Sequence, residues 1–291
     1  MSDTPDENQP AGYVPPKVWA PKQTYGHSFA TINSAVSGAR FEQELPVGRH
    51  PLQLYSQGTP NGQKVTLLLE ELLAAGHTDA EYDAWLIDVF KGDQFGSGFV
   101  GVNPNSKIPA LVDRSADPAI SVFESGSILV YLAEKFGAFL PTDLRARTAT
   151  FNWLMWQMGA APFVGGGLGH FFAYAPFKIE YAIDRYAMET KRQLHVLDTH
   201  LATHEYLAGG DYTIADMAVW PWYPASLFNY GAQEFLAVED YPHLLRWQKA
   251  IAARPAVARG RVVNRINGKP GECLRERHSA ADLDALGLPV R

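Results

Sequence analysis

Three short stretches of this chain carry residue types able to hold and activate a small ligand. Leu52 to Lys64 reads Leu-Gln-Leu-Tyr-Ser-Gln-Gly-Thr-Pro-Asn-Gly-Gln-Lys, the pattern of a buried strand, a tight turn and a helix start. Farther along come Asn-Ser-Lys-Ile-Pro-Ala-Leu from Asn105 and Phe-Glu-Ser-Gly-Ser from Phe123. Together these stretches can build a pocket for one small anionic peptide. Thr59, Pro60 and Asn61 fall at a helix N-terminus, where unpaired N–H groups and the helix dipole stabilise a negative charge such as a thiolate. The Ile108-Pro109 bond enters a strand and is a candidate cis peptide; in that form Ile108 offers its backbone N–H and C=O to an extended ligand, which pairs as an added strand. Ser125 opens a helix, so its hydroxyl and the first-turn amides can hold a carboxylate, while Glu124 can accept from an ammonium group. Alone, a Glu-Ser pair is most often a helix cap and an Ile-Pro an ordinary trans bond. Their occurrence together gives them chemical meaning.

The hydrophobic pattern supplies a frame for these residues. After Asn61, the apolar Val65, Leu68, Leu69 and Leu72 recur at i, i+3, i+4 and i+7, and Gly76 stops the helix. With a strand over 51–57 before it, this is a βα unit. Tyr82 to Asp88 alternates enough for a second strand, Ala110 to Asp113 and Ile120 to Phe123 form a hairpin pair, and Ser125 to Phe136 is helical. The order is β-α-β, an irregular stretch, then β-β-α. Beyond Leu140-Pro141-Thr142-Asp143 strands vanish, and helices are predicted over roughly 143–160, 177–204, 213–230 and 241–253. The fold class is therefore α/β plus all-α, with an arm over 1–50, an α/β domain over 51–141, a helical domain over 142–260 and an extension over 261–291. Thr213-Ile214-Ala215-Asp216 reads as an N-cap with an acidic third position, opening the apolar run Met217 to Trp222; this is folding architecture. Between Arg254 and Arg277, seven Arg or Lys face two Glu, as expected of a tail packed on an acidic body.

Composition narrows the chemistry. The 291 residues are 46% hydrophobic, enough for a substantial core, and the net charge of -6 with both signs interspersed argues against a nucleic-acid surface. The single cysteine, Cys273, excludes an internal disulfide and a CxxC pair, so any redox chemistry must borrow its thiols. Gly58 to Lys64 superficially resembles a phosphate-binding loop, but its glycines are one residue too close and neither Ser nor Thr follows Lys64 directly. His200 and His204 lack the glutamate of a zinc helix and a third ligand, so no metal is expected. No Gly-x-Ser-x-Gly is present for a serine hydrolase. Without an 18-residue apolar run or an apolar leader, the expectation is a cytoplasmic protein with no membrane partner.

A thioredoxin-like α/β domain followed by a helical domain, with Lys107-Ile108-Pro109, Glu124-Ser125 and Thr213-Ile214-Ala215-Asp216 in that order, resembles the cytosolic glutathione transferases. Thr59 to Lys64, the upstream arm with Asn33, and Gly165-Gly166-Gly167 make it similar to the nu class. These are bacterial disulfide-bond reductases similar to the glutathione transferase-fold domain of the yeast nitrogen-regulatory prion protein. The resemblance spans about residues 15–278. It implies glutathione as co-substrate, two molecules per site, with the cysteinyl backbone on Ile108 and the γ-glutamyl end at Ser125 and Glu124. Lys107 and Gln94 would reach the glycyl carboxylate or cysteinyl backbone, and Asn33 would add an amide donor to the sulfur. Tyr174 and Arg185 would hold the second glutathione; Tyr181 and Arg185 are four apart and share a helix face. Trp156, Met158, Phe163 and Phe172 read as core more than as pocket wall.

The resemblance further implies a homodimer and a small-molecule disulfide substrate, with organic hydroperoxide reduction as a further activity. A glutathione-binding regulatory module and a conjugating transferase are the alternatives. A cysteine thiol of pKa about 8.5 is only about 3% thiolate at pH 7, and lowering its pKa by about two units takes about 2.7 kcal/mol. A charge-assisted hydrogen bond from the Thr59 hydroxyl or the Asn61 N–H contributes about 1.5 to 3 kcal/mol, and the helix dipole about 0.3 to 1 kcal/mol. Those terms suffice. No Tyr, Ser or Cys stands at position 59, so the site departs from the commoner classes and cannot form a mixed disulfide with a protein thiol.

Overall fold

The structure, a computed structural model, describes residues 14, 16–20, 32–223 and 225–289. The expected arm over 1–50 is covered only at 14, 16–20 and 32–50; the rest of it lies outside the described residues. From the N-terminus run β1 (Leu52–Ser56), α1 (Pro60–Ala74), β2 (Tyr82–Leu86), a 3-10 turn over Asp93–Phe95, α2 (Ser97–Val102), β3 (Ala110–Asp113), β4 (Ile120–Phe123) and α3 (Ser125–Phe136). The strands form one sheet in the order β2-β1-β3-β4, with β1 parallel to β2 and antiparallel to β3. β1 is buried on both faces. Leu52 and Leu54 pack toward α1 and α3, while Tyr55 packs with Phe99 of α2. The stretch read as irregular holds this second helix, whose six residues are too few for a helical period to show.

α1 forms because Thr59 caps it, Pro60 occupies its first turn and a run of Leu residues follows. It is buried nearly all round. Leu68, Leu69 and Leu72 belong to the core under the sheet, whereas Leu67 belongs to the core of the helical half. After the loop at 137–143 come α4 (Leu144–Pro162), a π-helical segment (Phe163–Tyr174), α5 (Glu180–Leu201), α6 (Ile214–Val219), α7 (Ala225–Asn229), α8 (Pro242–Ala252), α9 (Pro255–Gly260) and α10 (Ala280–Asp284).

Two of these elements differ from the sequence expectation. The run predicted as one helix over 213–230 gives two short ones, α6 and α7, with Pro221, which lacks an N–H for the helical ladder, in the turn between them. The helix predicted to end near 160 continues into the wide turns of 163–174, where glycines replace the apolar period. A Cβ added at Gly165 would stand 2.7 Å from the Trp222 ring, so the missing side chain is what lets that ring approach. The Thr213 and Asp216 pair forms a capping box, and Asp216 also accepts from the Leu207 amide at 2.9 Å and Trp247 Nε1 at 2.8 Å. Burial pushes the Asp216 carboxyl up to about 6, against these bonds. No helix among the described residues is long and apolar enough to cross a membrane.

Beyond α9 the tail runs back along the sheet edge, where Arg277 and Ala84 exchange backbone hydrogen bonds and cover β2. The acidic body it meets is α1: Arg259 and Arg277 converge on Glu70 at 3.2 and 3.0 Å, and Arg254 makes a two-pronged pair with Glu71. All three members of the Glu70 cluster are essentially inaccessible to solvent. Glu70→Gln leaves two buried guanidinium groups short of their shared counter-charge. The expected loss of unfolding free energy is about 3 to 5 kcal/mol, read by urea denaturation. The same change at the exposed Glu239 should stay within about 0.5 kcal/mol of wild type.

Candidate functional site

The N-termini of α1 and α3 and the bend before β3 converge between the two halves of the chain. A cavity of about 680 Å³ there is lined by Asn61, Lys64, Glu124 and Ser125 on one side and by Met155, Met158, Gly166 and Trp222 on the other. A smaller one, about 200 Å³, is lined by Asn61, Asn105, Lys107, Ile108, Pro109, Glu124 and Ser125. Sharing Asn61, Glu124 and Ser125, the two form one continuous site.

At its first wall, Thr59 Oγ1 accepts from the Gly62 amide at 3.3 Å, which leaves the hydroxyl hydrogen free to donate outward. A Cβ at Gly62 would fall 2.0 Å from the Gln57 carbonyl oxygen, so the strand-to-helix turn closes only over glycine. The tail supports this loop from behind, with the Gly58 amide donating to Asn264 O at 2.7 Å. Asn61 lies in the first turn, where an amide has no acceptor within its helix. Its side-chain Oδ1 accepts from Trp222 Nε1 at 3.1 Å, which fixes the helix start to the helical half.

The second wall is built by a chain of amides. Asn103 Nδ2 donates to Lys107 O at 2.6 Å, its Oδ1 accepts from the Asn105 amide, and Asn105 Nδ2 donates to Glu124 Oε1 at 3.3 Å. The Ile108-Pro109 bond is cis, and both residues line the smaller cavity. Glu124 sits before α3 at φ 69°, a left-handed backbone that a non-glycine residue keeps only when its surroundings hold it. Lys107 Nζ donates to Asn33 Oδ1, which brings the arm to the cavity rim, and partial desolvation lowers the Lys107 ammonium. Gln94 is buried, and its amide donates to the carbonyls of Ile32 and Val89. It fastens the arm beside the site and lines neither cavity.

Lys64 is a residue lining the candidate site that sequence reasoning passed over. Its side chain is buried, and Nζ donates to Ser125 Oγ at 3.2 Å and to Gln157 Oε1 at 2.6 Å, joining α1, α3 and α4. Burial lowers its ammonium from 10.5 to about 7, with the negative charge of Glu124 opposing the shift. The available signal was a lysine on α1 three residues after Asn61 and directly before an apolar run. Of the residues expected around a second ligand, Tyr174 lies edge-on to Tyr230 at 5.7 Å. Arg185 and Tyr181 are exposed, and Arg185 faces Glu189, whose carboxyl is held low first by Arg192. None of the three lines the cavities. Met158, read as core, packs against the core and lines the larger cavity as well; Trp156 and Phe172 pack in the helical core, and Phe163 against Tyr186.

Residues 50–134 match the domain described as "Glutathione S-transferase, N-terminal domain" and residues 167–255 the "Glutathione S-transferase, C-terminal domain". The chain is 62% identical over 274 residues to the disulfide-bond oxidoreductase YghU of Escherichia coli, covering 94% of this chain and 95% of that protein. Among solved structures it is similar to the glutathione transferase YghU of Streptococcus pneumoniae complexed with glutathione, at TM-score 0.84 and 53% identity over 88% of this chain and all of the other. A Pseudomonas fluorescens glutathione transferase family member with two glutathione bound matches at TM-score 0.68 and 39% identity, covering 72% of this chain and 92% of that one. Ure2p in complex with glutathione matches at TM-score 0.65 and 30% identity, covering 75% and 95%.

The buried lysine gives the fold a pH signature. Between its folded value of about 7 and the ordinary 10.5, the unfolded chain binds more protons at this residue than the folded one. Its penalty on stability is therefore complete below pH 7 and fades as pH rises toward 10.5. Lys64→Met should exceed wild type in unfolding free energy by more at pH 6.5 than at pH 9.5, as read by urea denaturation. A gap that stays constant across that range contradicts the assignment.

Proposed function

As a member of the glutathione S-transferase family, of the disulfide-bond oxidoreductase type, the chain has relatives whose ligand suits its cavity, and we propose that it reduces small disulfides with two molecules of glutathione. The observation that carries this reading is the start of α1, where a hydroxyl with a free hydrogen and an unpaired amide stand together at Thr59 and Asn61, while Cys273, the single cysteine, lines neither cavity. The first glutathione lies with its γ-glutamyl carboxylate at Ser125 and the α3 N-terminus, its ammonium at Glu124, its cysteinyl backbone along Ile108 and its glycyl carboxylate toward Lys107. Its sulfur then meets Thr59 and Asn61 and is held as the thiolate. Asn33 and Gln94 act from the arm side, where Lys107 and Ile32 already join them.

The thiolate attacks one sulfur of the substrate disulfide, forms a glutathione mixed disulfide and expels the other half as its thiolate. The second glutathione, as thiolate, attacks the glutathione sulfur of that intermediate. A new sulfur–sulfur bond gives glutathione disulfide, and the remaining half leaves and takes up a proton. The protein supplies activation and alignment and forms no covalent bond. The relative with two glutathione bound supports this stoichiometry, and Tyr174 and Arg185 are the residues proposed to receive the second molecule. The apolar wall of Val130, Phe151, Met155 and Met158 suits the organic part of a disulfide and equally that of a hydroperoxide. Organic peroxide reduction by the same thiolate is therefore a further proposed activity. The proposed assembly is a cytoplasmic homodimer, in which a second copy would cover Ile120 and Phe123 of β4, now 41% and 39% exposed.

The deciding experiment follows reduction of 2-hydroxyethyl disulfide by glutathione, coupled to glutathione reductase and NADPH. Thr59→Ala should lower kcat/KM by about tenfold or more, the equivalent of about 1.4 kcal/mol or more, while Thr59→Ser keeps most of the rate. Thermal midpoints measured alongside separate the loss of the helix cap, about 1 kcal/mol, from the loss of catalysis. Full turnover by Thr59→Ala would refute thiolate stabilisation at this residue. Tight glutathione binding with no turnover by wild type would leave a regulatory binding module as the reading.

A further inference from the structure

Lys64 carries chemistry that the reaction just described does not use. Its ammonium is buried, has no carboxylate within ion-pair distance among the described residues, and faces the cavity beside the α3 N-terminus. We propose that Lys64 sets the direction of the Ser125 hydroxyl, so that binding of a carboxylate at the start of α3 is coupled to proton uptake at Lys64 Nζ. The inference rests on the proposed glutathione reading, whose γ-glutamyl carboxylate is the ligand group concerned.

The hydrogen-bond inventory of the two groups fixes the direction of the hydroxyl. A serine hydroxyl has one hydrogen and two lone pairs, whereas an ammonium group can only donate. With Nζ protonated, Ser125 Oγ must accept across the 3.2 Å contact, and its hydrogen points away toward a ligand. With Nζ neutral, the amine can keep donating to Gln157 Oε1 while its lone pair accepts from Ser125. The hydroxyl then turns inward and shows the ligand an oxygen lone pair. The first arrangement attracts a carboxylate; the second repels it.

Electrostatics push the same way. Burial makes the charged form of Lys64 costly, so a substantial fraction is neutral near pH 7 before any ligand arrives. An arriving carboxylate adds negative charge beside it and favours protonation, and by linkage protonation favours the ligand to the same degree. Other charged groups around α1 leave this role to Lys64. Glu124, before α3, is the acidic group acting on Nζ. From α4 the neighbour is the uncharged Gln157, and from α6 it is Asp216, already occupied by Leu207, Thr213 and Trp247. From α9 and the tail, Arg254, Arg259 and Arg277 engage Glu71 and Glu70 farther along α1. Lys64 is therefore a positioning residue, acting on substrate through Ser125.

The test is isothermal titration calorimetry of the full chain with S-methylglutathione, which has no thiol to titrate. Titrations at pH 7.5 in phosphate, HEPES and Tris, which differ in ionisation enthalpy, read the protons taken up per ligand bound. Wild type should take up a clear fraction of a proton, and its affinity should fall above pH 7 by up to about tenfold per pH unit. In Lys64→Arg, whose cation does not titrate in this range, uptake should drop toward zero and the affinity profile should flatten. The ligand's own amine contributes equally to both proteins, so their difference isolates Nζ. Binding by wild type without proton uptake, or equal uptake in the arginine variant, overturns the inference while leaving the glutathione reading intact. No binding heat at all defeats that reading and this inference with it. Should Lys64→Arg not fold, the wild-type uptake and its pH profile decide alone.

Discussion

The structure depends on the burial of α1 on nearly every side, between the sheet and the helical half. A helix so placed cannot leave its polar residues to water, and each buried charge costs several kcal/mol unless another group meets it. Lys64 is met by Ser125 from α3 and Gln157 from α4, Glu70 by Arg259, Arg277 and Tyr82, and Glu71 by Arg254. The partners come from both halves of the chain and from the tail. Polar demands of one helix thus decide how α3, α4, α9 and the C-terminal extension are arranged around it.

The same helix carries the proposed chemistry at its first turn. With the rest of its body enclosed, it reaches the cavity at its first turn and at Lys64, and in that turn the sequence places a hydroxyl, a proline that needs no acceptor and an asparagine amide. Trp222 holds Asn61 from across the cavity, and the absence of a side chain at Gly165 gives that ring its place. The glycine-rich stretch in the helical half is in this sense part of the site, although it offers no functional group. A helix start made of amides and one hydroxyl can stabilise a ligand's charge without becoming a nucleophile itself.

Much of this was legible in the sequence where one residue type has one structural use. Ala110 to Asp113, Ile120 to Phe123 and Ser125 to Phe136 occur as read, because alternation and a Ser at a helix start have few other meanings. The capping box at Thr213 was also readable from local pattern, and the cis bond before Pro109 only from its company with the other two stretches. Partnership was not. Periodicity says that Lys64 lies on a helix but not that Gln157, 93 positions away, completes its shell. The basic run from Arg254 was visible, while its counter-charges on α1 were not, since charges pair in space and the sequence gives only their order. For Tyr181 and Arg185 the spacing correctly placed two residues on one face, yet carried no information on which way that face turns.

At the centre of the account is a thiol activated by a helix start without a protein nucleophile. The measurement that bears on it most directly is the ultraviolet absorbance of the thiolate of bound glutathione, titrated against pH with saturating protein and referred to free glutathione. The expected midpoint lies about two pH units below the free value of about 8.5. A bound thiol that titrates at the free value would show that Thr59 and Asn61 do not stabilise the thiolate, and the mechanism would fall.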